Sequence, residues 1–236
     1  MFALFRQRSD ELENLDKGSY TAEEYEGCLV ELRRVNRWLG DAGALRRSVL
    51  AEFGRDGGRG FSLLDVGAGS GELLRAAARW ARDAGARARL VGLELNARAA
   101  GSILEESRGF AEIAAVRGDA LRLPFDDGAF DHCMCSLFAH HFRDEALVAV
   151  LKEMSRVARR RVYVIDLHRH PVAYYFYTTV GRLFFRNRLT REDGALSILR
   201  GFTPDELRRL AARAGLRQTR VERRFPYRLV LSGVKE

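Results

Sequence analysis

The chain has 236 residues, 47% hydrophobic and 31% charged, with 22 Gly, 4 Pro and 3 Cys. That balance excludes a disordered or collagen-like chain and, with so few cysteines, a disulfide scaffold, and the length fits one large domain. The formal charge of +8 points toward phosphate-bearing partners until it is divided by position: residues 1–60 net −1, residues 61–150 net −3, and residues 151–236 net +12. All but Lys17, Lys152 and Lys235 of the basic residues are arginine.

The first sixteen residues, MFALFRQRSDELENLD, turn acidic after the eighth and hold no long apolar run, and no later run approaches the ~18–20 residues of a membrane span. Three cysteines, two of them in a Cys133-x-Cys135 alternation, fit a reducing compartment. The expectation is a cytoplasmic protein without a transmembrane segment.

Thr21 with Glu24 reads as a capping box, and Tyr25, Leu29, Leu32, Val35 and Leu39 recur at helical spacing. A second helix is predicted around Leu45–Phe53, then a linker over Gly54–Gly60. Residues 1–60 are thus expected to form a helical cap, distinct from residues 61–236.

Beyond the linker, strands are predicted over Phe61–Val66, Leu90–Leu95, Ile113–Arg117, Phe130–Cys135 and Val162–Leu167. Helices fall between them near Glu72–Asp83, Ala97–Arg108 and Asp144–Ala158. Short apolar strands separated by helices imply βαβ crossovers and a parallel sheet covered on both faces. Thr203-Pro204-Asp205-Glu206 opens a last helix that Gly215 stops. The segments Gln218–Phe225 and Arg228–Gly233 are joined by two residues, a link that favours an antiparallel pair, since a parallel one needs a crossover of about a dozen residues.

The most informative stretch is Leu63-Leu64-Asp65-Val66-Gly67-Ala68-Gly69-Ser70-Gly71-Glu72, a strand running through a glycine turn into a helix. In the dinucleotide fingerprint G-x-G-x-x-G the third glycine falls one residue later, where this chain has Glu72. Asp65 and Glu72 would repel a pyrophosphate and suit a cationic ligand. Glu94 ends the second strand, Gly118-Asp119-Ala120 the third, and Leu123-Pro124-Phe125-Asp126-Asp127-Gly128-Ala129-Phe130-Asp131 leads into the fourth.

These four matches, in order over residues 61–167, resemble the class I S-adenosylmethionine-dependent methyltransferases, and the last of them their small-molecule members. The resemblance implies a Rossmann-like α/β fold with a seven-stranded, mostly parallel sheet in the order 3-2-1-4-5-7-6. It implies a cofactor site in which Glu94 takes the ribose hydroxyls, Asp119 and Ala120 lie at the adenine, and Asp65 stands at the amino-acid end of the ligand. Gly67, Gly69 and Gly71 would shape the turn, and Ser136 would follow the fourth strand beside the methyl group. Adenosylmethionine bears a sulfonium, an ammonium and a diol, so carboxylates at strand ends are what its chemistry asks for.

Three histidines are candidates for the base that a hydroxyl acceptor needs: His140 and His141 after the fourth strand, and His168 after the fifth, with His170 on the same rim. No metal site is assigned. The (D/N/S)-P-P-(Y/F) sequence of many amino methyltransferases is absent, which lowers the standing of nitrogen acceptors, and Cys133 and Cys135 read as core residues on one strand face. Residues 170–202 carry six aromatics within twelve positions, followed by arginines, and read as an aromatic lid over a hydrophobic acceptor, or as a helix packed on the N-terminal pair. The expected reaction is methylation of a hydroxyl, or of carbon, on a small hydrophobic, phenolic or polyketide-type acceptor, by a monomer or homodimer. An RNA methyltransferase using the basic last third and a binding module without catalysis are the alternatives. Nucleic acid is not the favoured partner, and the lid with its arginines leaves peripheral membrane contact open.

Overall fold

The architecture is described from a computed structural model covering residues 3–38, 41–55 and 60–235. After a short 3-10 turn at Ala3–Phe5, the N-terminal region holds helices α1 (Asn14–Lys17), α2 (Ala22–Trp38), α3 (Asp41–Leu45) and α4 (Ala51–Arg55). The Thr21 capping box forms: the Glu24 amide donates to Thr21 Oγ1 at 3.1 Å, and the Thr21 amide to Glu24 Oε2 at 2.9 Å. The second predicted helix is a π-helical turn, Arg46–Leu50, set between α3 and α4. The linker is shorter than expected, because Gly54 lies in α4 and Gly60 already opens β1; Leu39 and residues 56–59 lie outside the described residues.

A single sheet follows, with β1 (Gly60–Val66), β2 (Arg87–Glu94), β3 (Ile113–Arg117), β4 (Phe130–Ser136), β5 (Ala158–Leu167), β6 (Arg217–Arg224) and β7 (Arg228–Val234). Its order is β3-β2-β1-β4-β5-β7-β6, parallel from β3 to β5, with β7 antiparallel to both β5 and β6. The crossovers are α5 (Glu72–Asp83), α6 (Ala97–Glu106) and α7 (Asp144–Val157). Between β5 and β6 come α8 (Pro171–Thr179), α9 (Gly181–Phe184), α10 (Arg188–Arg200) and α11 (Pro204–Arg213).

Strand alternation divides the core in two. Leu64, Cys133, Cys135, Val162 and Val164 face α7 and α11, whereas Leu63, Leu90, Met134, Tyr163 and Ile165 face α5 and α3. Cys133 and Cys135 are fully buried on the same face, and burial pushes both thiols well above their usual range.

The N-terminal region is fastened to this sheet by buried polar contacts. Arg228 of β7 donates to Asp41 of α3 at 2.7 Å, both side chains being about 95% covered. Arg8 reaches Asp144 (2.7 Å), the carbonyls of Phe142 (2.9 Å) and Arg200 (2.9 Å), and stacks on Phe202. Asp193 of α10 accepts the amides of Asn14 and Leu15, at 2.8 and 3.0 Å. The predicted lid is three helices. Tyr174 and Tyr175 pack edge-on against Phe5, and Tyr177 donates to the Thr190 carbonyl. Val172, Phe176, Leu183 and Phe184 face outward.

Candidate active site

Strand order reverses between β1 and β4, so their C-terminal ends splay apart and leave the crevice in which open α/β sheets bind ligands. Asp65, at the end of β1, is buried, and its Oδ1 has no hydrogen-bond partner. Burial, followed by repulsion from Glu94, pushes its carboxyl well above the usual range. Glu94, at the end of β2, accepts the Gly69 amide at 2.5 Å; burial raises its carboxyl too, against hydrogen bonds from the Gly69 and Leu95 amides.

The glycine turn is held by backbone bonds. The amides of Gly67 and Ala68 donate to the Leu93 carbonyl at 2.9 and 3.3 Å, and that of Gly71 to the Ala68 carbonyl at 2.9 Å. Gly67 has φ of 72°, and a Cβ there would overlap the Phe138 ring; Gly69 has φ of 58° and faces open space. A Cβ at Gly71 would meet Ile103 at 3.0 Å, so this glycine seats α6 beside the turn.

Asp119 is exposed and accepts the Leu121 amide at 2.9 Å, capping the turn after β3, while its neighbour Ala120 is buried. Ser136 ends β4, and Leu137 behind it takes φ of 49° as the chain turns toward Phe138. Asp65, Glu94, Gly67, Gly69 and Gly71 are therefore brought together at one crevice, and Ser136 and Asp119 lie at neighbouring strand ends. A ligand with a positive charge and two hydroxyls fits this set: an orphaned buried carboxylate oxygen, a second carboxylate, and a turn without side chains.

The four candidate histidines form two pairs, His140 with His141 and His168 with His170. His140 is buried, and its Nδ1 lies 2.7 Å from Asp166 Oδ1 at the end of β5. Asp166 also accepts the amides of His140 (3.2 Å) and Leu167 (2.7 Å). Burial would raise Asp166, but the charge and hydrogen bond of His140 outweigh it and hold the carboxyl below its usual range. The other ring nitrogen of His140 faces Glu13, 3.7 Å away. His141 packs on His140 with ring centroids 4.3 Å apart and meets Asp16 at 3.4 Å. Burial lowers the His141 imidazole, but Asp16 and Glu13 outweigh it and raise it overall. Asp16, which also pairs with Arg200 at 3.0 Å, is held at about 2: burial raises it, and the bonds from His141 and Arg200 win.

His168 sits apart, in an aromatic group with His170 and Tyr227. Burial, with repulsion from His170 and Arg223, pushes it down to about 4. Sequence reasoning found the histidines and missed Glu13, Asp16 and Asp166, the carboxylates that hold them. The one signal for Asp166 was an acid at the C-terminal end of a parallel strand, the same position that marks Asp65 and Glu94.

Residues 63–161 match the family model described as a methyltransferase domain. Demethylmenaquinone methyltransferase of Bacillus licheniformis is 27% identical over 128 residues, which is 54% of this chain and 53% of the relative, so the chain spans about half the length of the curated relative it matches. A methyltransferase of Aquifex aeolicus described as dependent on S-adenosylmethionine superposes with a TM-score of 0.59 at 18% identity, over 83% of this chain and 89% of the other. Magnesium protoporphyrin IX methyltransferase of Synechocystis, solved with bound S-adenosylhomocysteine, superposes with a TM-score of 0.58 at 19% identity, over 84% of each. Residues 63–161 thus match a methyltransferase domain, and the fold is the one that S-adenosylmethionine-dependent methyltransferases adopt. S-adenosylmethionine, bound in such a crevice, would supply an electrophilic methyl group on a sulfonium.

Proposed function

We propose that the chain transfers this methyl group to a hydroxyl of a small hydrophobic acceptor, phenolic or polyketide-like in character. The observation that carries the reading is the histidine–carboxylate group of His140, His141 and Asp166, at the ends of β4 and β5 beside the cofactor crevice, joined by Asp16 of α1. In-line displacement at an activated carbon asks the protein for positioning and, for a hydroxyl, removal of a proton. Asp65 and Glu94 would hold the cofactor's ammonium and ribose, Asp119 and Ala120 its adenine, with Ser136 beside the transferred group.

His140 and His141 are the residues proposed to face the acceptor hydroxyl. His168, held at about 4 and stacked among aromatic rings, is a weak base and better suited to lining the acceptor's path. The cap of residues 1–60 and the lid of residues 170–202 would cover the acceptor, with the Tyr174, Tyr175 and Phe5 rings supplying apolar surface. Relatives named for demethylmenaquinone, magnesium protoporphyrin IX and N-acetylserotonin fit a small-molecule acceptor.

The test is a panel of alkylphenols and their methyl ethers, offered with methyl-labelled adenosylmethionine. Labelled ether from the free phenols and none from the pre-methylated compounds supports the reading; label confined to amines, or to RNA, would refute it.

A further inference from the structure

Among the described residues, one group of metal-ligating side chains brings three donor atoms within 4.8 Å of one another: Glu13, His140 and His141. We infer that these three residues form a binding site for a divalent transition-metal ion of the zinc type, with Asp166 as the carboxylate that orients His140. The inference does not depend on the identity of the methyl acceptor, and it adds a site that the sequence reading left unassigned.

Asp166 is fully buried and accepts two backbone amides, and its Oδ1 lies 2.7 Å from His140 Nδ1, which directs an Nδ1 proton at the carboxylate. Nε2 is then the nitrogen turned on Glu13 Oε1, itself buried and 3.7 Å away. An imidazole nitrogen and a carboxylate oxygen facing each other out of water are held by a cation between them, a proton or a metal ion. The separation is too long for a hydrogen bond. It is close to the ~3.4 Å at which a tetrahedral ion holds two ligand atoms on bonds of ~2.1 Å.

Charge and access agree. Glu13, Asp16 and Asp166 gather around two imidazoles; Arg200 pairs with Asp16, and Arg8, bonded to the His140 carbonyl, lies near Asp166, so three carboxylates stand against two guanidiniums and a bound cation would offset the remaining negative charge. Ser197 Oγ donates to Glu13 Oε1 at 2.8 Å and fixes the carboxylate. His140 and His141 also line a groove of about 440 Å³, between the N-terminal segment and the start of α7, that would admit the ion and leave coordination positions for water or an acceptor oxygen. Two imidazoles and one carboxylate suit zinc, cobalt or nickel rather than calcium or magnesium, and a carboxylate on the distal nitrogen of a ligating histidine is the usual supporting contact.

The test is titration of the metal-free full-length chain with cobalt(II), read by visible d–d absorption, alongside an independent measurement of adenosylmethionine affinity. One equivalent of cobalt should bind with a saturable band that zinc displaces. Glu13→Gln and His141→Ala should weaken binding at least 10-fold while retaining adenosylmethionine affinity, which reports that both variants fold. His170→Ala, outside the group, should bind cobalt as the parent does. The inference is overturned if the parent shows no saturable band, or if the band persists unchanged in Glu13→Gln and His141→Ala, an adventitious ion only. Adenosylmethionine affinity is read separately, so failure of the metal site leaves the cofactor crevice standing.

Discussion

Asp65 concentrates the electrostatic cost of the crevice in one side chain and, in the proposed reading, its use in holding the cofactor. A carboxyl whose pKa is raised by folding favours the native state when protonated, so its contribution is present below the ordinary carboxylate range and lost as pH rises through the raised value. Asp65→Asn should therefore raise the melting temperature of the ligand-free enzyme at pH 8, by the equivalent of about 1–3 kcal/mol, with the difference vanishing near pH 3. The same variant should weaken adenosylmethionine binding at least 10-fold, because the neutral amide offers the ligand's positive charge no carboxylate. Glu94→Ala should weaken it by more than 10-fold in titration calorimetry, the diol losing its acceptors, and unchanged affinity would remove Glu94 from the site. These residues were legible in the sequence because the chemistry of each strand end is local: acid, glycine turn and helix are contiguous. Glu13 and Asp16 were not, since they meet histidines more than 120 positions away and their segment carries no pattern apart from its acidity.

The N-terminal segment depends on tertiary contacts, because neither its 3-10 turn nor the four-residue α1 is long enough to be stable alone. Arg8 ties it to α7, α10 and the turn after β4. Arg8→Ala leaves those carbonyls unpaired, and should cost about 2–4 kcal/mol and make residues 3–17 the first site of limited proteolysis, detected by mass spectrometry of the early fragments. A cleavage pattern equal to the parent's would show that the segment is held elsewhere. At this scale the strands were legible where they are apolar, and short where they are not. β2 and β5 begin three and four residues before their predicted starts, at Arg87–Arg89 and Ala158–Arg161. Arginines at the N-terminal edge of a parallel sheet project into solvent or onto carboxylates such as Asp131 and Glu52, so they keep strand geometry without an apolar signal. The π-helical turn at Arg46–Leu50 has no periodicity that separates it from an α-helix over five residues.

Over the whole molecule the net +12 of residues 151–236 is partly consumed inside the fold. Arg169, Arg200 and Arg228 are buried in contacts with Glu206, Asp16 and Asp41, and Arg188 pairs with Glu24 and Glu192. Arg217, Arg220 and Arg223 stand exposed on β6, the terminal strand of the sheet, where charge discourages pairing with another chain. The basic excess thus has structural employment, and RNA binding, if measured, should lack the steep salt dependence of a phosphate track. The central claim is that this crevice delivers a methyl group to a hydroxyl beside His140 and His141. Its most direct measurement is transfer of labelled methyl from adenosylmethionine to an alkylphenol by the parent, by Glu94→Ala and by His141→Ala. The account predicts labelled ether from the parent, rate loss with weakened cofactor binding in Glu94→Ala, and rate loss with cofactor affinity retained in His141→Ala. Full turnover in both variants would contradict it.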